Sequence, residues 1–200
     1  MRLYSYVVAR DYGFAPNPFY ERCTLATCKP VIRRGAAVGD WIVGTGSKAK
    51  GREGKLVFAM CVTETLTFDE YWNDPRFRAK RPHLAGSRKQ AFGDNIYHRS
   101  EDGTWSQQNS HHSYEDGTMN DRNVANDTQA PRVLVSEDFA YWGGSGPAVP
   151  ARFRNYAGVD ICLAGQGHKV NFPESLVRDF DEWMRAAETG YLGEPLEWGR

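Results

Sequence analysis

Apolar positions in this chain come as short blocks broken by turns, with one long periodic stretch near the end. "LYSYVVAR" (3–10) alternates and is β-branched or aromatic, which predicts a first strand. "GFAPNPF" (13–19) follows it, and its two prolines cannot donate to a ladder, so it reads as a loop. Pro30 suits the first turn of a short helix, 30–37, and Gly39-Asp40 turns into a strand at 41–44. The apolar run from Leu56 predicts a strand to Thr65, and "TFDEYWNDPRF" a short helix opened by Thr67 and closed by Pro75. Residues 93–128 are polar and punctuated by glycine. Within them "HRSEDGTW" (98–105) echoes "HSYEDGTM" (112–119), which predicts two hairpin-like turns. "RVLVSEDFAYWGG" (132–144) predicts a further strand, 147–156 a linker, and 159–170 a mixed strand or turn segment. In the last stretch Leu176, Val177, Phe180, Trp183, Met184 and Ala187 form one stripe of an amphipathic helix, expected over 173–189.

Composition narrows the class. Two hundred residues with 40% apolar side chains and 26 aromatics suit one domain of ordinary size with a bulky core. No apolar run reaches the roughly 18 residues of a membrane span, and "MRLYSYVVARD" lacks the apolar core of a signal peptide, so a soluble cytoplasmic protein is expected. Net charge is zero, but the first hundred residues carry 17 basic against 9 acidic side chains and the second hundred 8 against 16, or +8 and −8. Such asymmetry fits a basic face for a phosphate-bearing partner, a docking surface for a protein partner, or two halves that attract each other.

The candidate chemistry begins with four cysteines. Cys61 and Cys162 lie in apolar runs and read as buried free thiols. Cys23 and Cys28 are spaced C-x4-C, which is not the C-x-x-C of a redox pair. A metal site would need Cys23, Cys28, His112 and His168 together, and neither metal nor cofactor is expected. Nucleophilic catalysis stays open. Cys28 precedes Lys29 and the Pro30 helix, with His112 as a base and Asp94 as its partner. The Gly-rich basic loop 44–55 fails as a P-loop, because Arg52-Glu53 stands where Lys-Ser/Thr is required.

The third possibility is a pocket for a base, with aromatic plates, amides and hydroxyls for base edges, and cations for phosphate. Arg10, Asn17, Phe19, Thr24, Lys29, Arg33, Ser47, Trp72, Asn95 and Tyr97 supply these types, and the basic run Arg76–Lys89 would add phosphate contacts.

"RDYGFAPNPFYERCTLATCKPVIRRGAAVGDWIVGTGS", "FAMCVTETLTFDEYWNDPRF", "GDNIY" and "VLVSEDFAYWGG" together resemble the second of the nucleotide-modification-associated domain families. The resemblance spans nearly the whole chain. It implies a setting of DNA base modification or phage defence, and a nucleotide or nucleic acid as partner. The order of strands and loops to Trp72 is also similar to PUA-like folds (PUA, EVE, YTH, ASCH), with Gly39-Asp40-Trp41 and Val62–Glu64 at matching positions. That similarity implies an α+β chain with a bent mixed or antiparallel sheet, or small barrel, and flanking helices. Asn17 and Trp72 would lie near a pocket for a possibly modified base. A single domain over 1–200 is expected, with its core at about 1–90 and 130–190 and a polar insertion at about 93–130. Residues 93–150 have no counterpart in the PUA-like folds. The two functional readings are base recognition in an aromatic/Asn pocket, and an enzyme that modifies or hydrolyses a nucleotide base through Cys28, His112 and Asp94.

Overall fold

A computed structural model describes residues 1–165 and 167–199. Gln166, inside the predicted strand-or-turn segment 159–170, lies outside the described residues. The strands, in chain order, are β1 (Leu3–Val8), β2 (Cys23–Leu25), β3 (Trp41–Gly46), β4 (Leu56–Cys61), β5 (Glu64–Leu66), β6 (Tyr97–Arg99), β7 (Trp105–Gln107), β8 (Val133–Ser136), β9 (Asp138–Tyr141), β10 (His168–Lys169) and β11 (Gly190–Tyr191). The α-helices are α1 (Pro30–Gly35), α2 (Phe68–Asn73), α3 (Arg88–Ala91), α4 (Asp121–Thr128) and α5 (Glu174–Arg185). The class is mixed α+β. The chain divides into two compact units, one made of Met1–Tyr12, Ala36–Thr63 and Ser136–Arg200, the other of Gly13–Gly35 and Glu64–Val135.

The first unit is built on a six-stranded mixed sheet, β10-β1-β3-β4-β9-β11. β1 and β3 run parallel, while β4 lies antiparallel between β3 and β9. Side chains alternate between faces, so Leu3, Trp41, Val43, Ala59, Cys61 and Ala140 share one apolar face. α5 covers it with the stripe expected from the sequence: Leu176, Val177, Phe180 and Met184 are buried, with Trp183 and Ala187 packed alongside. The Trp41 indole donates to Asp181 on that helix at 2.9 Å, so the buried ring keeps its hydrogen bond. On the sheet Tyr6, Gly44 and Phe58 are in register across three strands. A Cβ at Gly44 would lie 2.3 Å from the Phe58 ring, so only glycine lets that ring pack there against Tyr6.

Two strands expected to be continuous are broken. The predicted strand 56–65 divides into β4 and β5, and 132–144 divides into β8 and β9. The Ser136 hydroxyl donates to the Asp138 carbonyl and accepts from the Asp138 amide, which turns the chain at Glu137. The Glu137 amide then donates to Thr63 Oγ1, so both breaks meet. Local side-chain bonds of this kind compete with the ladder, and alternation alone does not reveal them. The predicted helix 173–189 is shorter at both ends, the helix 30–37 begins at Pro30 as expected but stops at Gly35, and the strand 41–44 runs on to Gly46.

The second unit holds the three-stranded sheet β2-β8-β5 and the hairpin β6-β7. Thr67 opens α2, as the sequence predicts, and Glu70 returns the bond to make the cap reciprocal. The two EDG segments form the same turn. The amide of Thr104 donates to Asp102 Oδ1 and that of Thr118 to Asp116 Oδ1, with Gly103 and Gly117 at positive φ.

Phe180→Ala should lower the urea unfolding free energy by about 3–5 kcal/mol, since it empties a fully buried site between Trp41, Phe153 and Trp183. Arg178→Ala on the exposed side of α5 should change it by less than about 0.5 kcal/mol. Equal losses in the two variants would contradict this packing.

Candidate active site

The geometry begins in the turn after β2. Cys28 and Lys29 have φ of 56° and 42°, left-handed values that cost a residue with a Cβ roughly 1–2 kcal/mol each. The turn is held from both sides. The Cys28 amide donates to Asp127 Oδ1 at 2.8 Å, and the Cys28 carbonyl accepts from Arg33 Nε at 2.8 Å. Arg33, on α1 and fully buried, also donates to the carbonyls of Ala130 and Arg132, each at 2.7 Å, and to that of Asp127. One guanidinium thus joins the Cys28 turn to the end of α4.

His112 comes from a tight turn in which its amide donates to Ser110 Oγ. Its carbonyl accepts from Asn123 Nδ2 at 2.8 Å and Gln107 Nε2 at 3.2 Å. The ring packs on Phe14, centroids 4.7 Å apart. Nε2 lies 3.7 Å from Cys28 Sγ, and Nδ1 lies 2.8 Å from Asp127 Oδ2. Tyr97 donates its hydroxyl to the same Asp127 oxygen at 2.9 Å, and Gln107 Nε2 donates to that hydroxyl. The result is thiol, imidazole and carboxylate in line, the carboxylate buried and the thiol and imidazole half-buried.

The electrostatics follow from this arrangement. Burial opposes charge on His112, but its bonds to Asp127 and Cys28 outweigh burial and raise its pKa to about 9. Burial likewise opposes charge on Asp127, and the bond to His112 holds its carboxyl below the ordinary value. At neutral pH the ring is therefore positive, the counter-charge that a thiolate at Sγ needs. Lys29, lowered by burial, adds a second positive charge beside the sulfur. Burial pushes the thiols of Cys23 and Cys61 up, to about 12 and about 11.

Cys28, His112 and Asp127 also place three ligand atoms within 4.8 Å of one another, close enough for a metal ion. Asp127 fits that role poorly. Its two oxygens already accept from the Cys28 amide, Asn126 Nδ2, the Tyr97 hydroxyl and His112 Nδ1, so a metal would have to displace one of these donors. Cys23, the other cysteine of the C-x4-C spacing, sits in β2 and is not part of this group.

The partner of His112 is thus Asp127, where the sequence suggested Asp94. Asp94 is fully buried in a different network, accepting from the hydroxyls of Tyr71 and Thr24, each at 2.7 Å. Beside it Lys80 donates to the Asn17 carbonyl, to Asn17 Oδ1 and to the Arg22 carbonyl, and burial lowers its pKa to about 8. Asn17 Nδ2 donates to the carbonyls of Gly13 and Phe92. This network ties down the "GFAPNPF" loop from within.

Several residues suggested for base or phosphate contact are engaged in the fold. Asn95 donates to the carbonyls of Tyr71 and Phe77, Phe19 is buried, Tyr97 holds Asp127, and Arg33 is the buried clamp. Trp72 has His98 stacked at 4.0 Å and the Arg81 guanidinium at 3.8 Å. Two groups at such distances must occupy opposite faces of the indole, which leaves no open plate. In the basic run, Arg76 is paired to Glu64 and Asp74, and Lys80 is buried. Arg10 and Ser47 line a cavity of the first unit.

The whole chain, residues 1–200, matches the family described as nucleotide modification associated domain 2, and the chain belongs to that family. No curated protein and no solved structure matches it. Among the described residues no helix is long and apolar enough to cross a membrane.

With its pKa above the ordinary 6.5, His112 adds stability that is full below about pH 6.5 and is lost as pH rises through about 9. An NMR titration of the imidazole should give a midpoint near 9 in the native protein. In Asp127→Asn the midpoint should fall to 6.5 or below, because burial then acts with less opposition. A midpoint that stays near 9 in the variant would contradict the assigned pair.

Proposed function

We infer that this protein is an enzyme of nucleotide modification that uses Cys28 as a covalent nucleophile, with His112 as its proton carrier and Asp127 orienting the ring. The single observation behind this reading is the line of contacts from Cys28 Sγ to His112 Nε2, 3.7 Å, and from His112 Nδ1 to Asp127 Oδ2, 2.8 Å. The strained backbone at Cys28 and Lys29 supports it, since such conformations persist where the surroundings enforce them and cluster at reactive sites. Membership in the family of nucleotide modification associated domain 2 supports a nucleotide, or a base within nucleic acid, as the substrate.

The chemistry has two halves. With the proton on His112 and the negative charge on sulfur, Sγ attacks an electrophilic carbon of the base or of a group attached to it. As the S–C bond forms, the bond to the leaving nitrogen or oxygen breaks, and that atom takes the Nε2 proton of His112. A water or an acceptor hydroxyl then gives its proton to His112 and bonds to the same carbon, and sulfur departs as thiolate. Water gives hydrolysis, and another acceptor gives transfer. Asp127 keeps the ring in one tautomer and orientation throughout, as the carboxylate does in other nucleophile–histidine pairs. For the fold we propose a bent sheet of the PUA-like type, a reading supported by the mixed sheet β10-β1-β3-β4-β9-β11.

Incubation with pools of nucleotides, modified nucleosides and single-stranded oligonucleotides, followed by mass spectrometry, should reveal a product whose formation needs Cys28. Cys28→Ala should abolish it, and Asp127→Asn should reduce the rate by roughly 10²- to 10⁴-fold. Turnover in Cys28→Ala at the native rate would remove the thiol from the mechanism.

A further inference from the structure

The first unit carries a second feature that the Cys28 site does not use. β1 and β3 are parallel neighbours in register from Leu3↔Trp41 to Val8↔Gly46, so their carboxyl ends stop side by side. Beyond them the chain leaves as Ala9-Arg10 and as the loop Ser47–Lys50. A cavity of about 690 Å³ opens there, closed on another side by residues 162–165. Crevices outside the carboxyl ends of adjacent parallel strands are recurrent ligand sites, and the volume is that of a small-molecule pocket, within roughly 300–1,000 Å³.

Its chemistry has a clear sign. Arg10 and Lys48 are exposed cations on the wall, and among the described residues neither side chain has a hydrogen-bond or ion-pair partner. The Ser47 hydroxyl, on the same wall, makes no capping bond. Lys50 is neutralised by Glu197 at 2.8 Å; Glu53 is an exposed acid on the same wall, and Arg10 and Lys48 outweigh it by one positive charge. The remaining surface is apolar, with Val7, Leu163 and Ala164. Two unpaired cations and a hydroxyl beside an aliphatic wall ask for an anion with an apolar body. The buried arginine and lysine of the second unit cannot meet a ligand in this way, since their donors already have carbonyl partners.

We propose that this cavity is a nucleotide-phosphate site, in which Arg10, Lys48 and Ser47 hold a phosphoryl group and the aliphatic wall takes the nucleoside. The Gly-rich basic loop, which fails the P-loop pattern, thereby gains a phosphate role by a different arrangement: side-chain donors at the ends of two parallel strands. The proposal stands independently of Cys28, because its readout is binding. The phosphoryl group has two possible sources, a free nucleotide and the 5′-phosphate of a strand.

Calorimetric titration of the full chain at low salt tests this with 5′-nucleoside monophosphates, the matching nucleosides, and a short single-stranded oligonucleotide with and without a 5′-phosphate. Monophosphates should bind at least roughly tenfold more tightly than nucleosides, and Arg10→Glu with Lys48→Glu should remove that advantage. Arg10→Lys with Lys48→Arg, which keeps the charges, should retain it, so a loss through misfolding is distinguishable. Binding of the 5′-phosphorylated oligonucleotide alone would assign the site to strand ends, and binding of monophosphates to free nucleotides. Absence of binding to every phosphorylated probe, or equal binding in the double Glu variant, would overturn the proposal.

Discussion

Arg33 is the constraint on which the candidate site rests. Its guanidinium is fully buried and bonded to the backbone carbonyls of Cys28, Asp127, Ala130 and Arg132. A buried cation without such acceptors would cost several kcal/mol, and here burial lowers its pKa only to about 10. The Asp127 carboxylate nearby supplies the opposing charge. Hydrogen bonds to an ionised partner are worth roughly 1.5–3 kcal/mol each, and the two on Cys28, its carbonyl accepting from Arg33 and its amide donating to Asp127, hold the turn in a backbone shape that cysteine and lysine otherwise avoid. The side chain that joins α1 to the end of α4 is therefore also what brings the sulfur to the imidazole.

The second unit separates two polar systems that have similar residue types. In one, Lys80, Asn17, Asp94, Thr24 and Tyr71 satisfy one another in the interior, and every member has a structural partner. In the other, Cys28 and His112 are half-buried, and their facing atoms meet at 3.7 Å with the carboxylate behind them. Burial and saturation distinguish scaffold from site here, as a fully bonded, fully enclosed carboxylate cannot exchange a proton with a substrate, whereas a half-exposed thiol can reach one.

What the sequence shows depends on how local the physics is. The α5 stripe, the Thr67 cap and the paired EDG turns are set by neighbours within a few residues, and each is readable from spacing. Cys28 and His112 are legible as reactive types, but Asp127 carries no signal: it is one polar residue on a polar helix, and only the fold that brings it to Cys28 and His112 reveals it. Arg33 looked like a phosphate ligand because exposure is invisible in a basic stretch. Trp72 looked like a stacking plate because the chain does not announce that His98 and Arg81 cover it. The breaks at Thr63 and Glu137 leave no mark in the alternation, because a serine hydroxyl overrides β propensity over two residues.

Iodoacetamide labelling at neutral pH, with each thiol resolved by peptide mass spectrometry, tests the central claim most directly. Cys28 should label far faster than Cys23 and Cys61, whose burial keeps them inert. In His112→Ala the Cys28 rate should fall at least roughly tenfold, because the ring nitrogen that faces the sulfur at 3.7 Å and can take its proton is gone. An unchanged Cys28 rate in that variant would contradict the pairing of sulfur and imidazole on which the proposed chemistry depends.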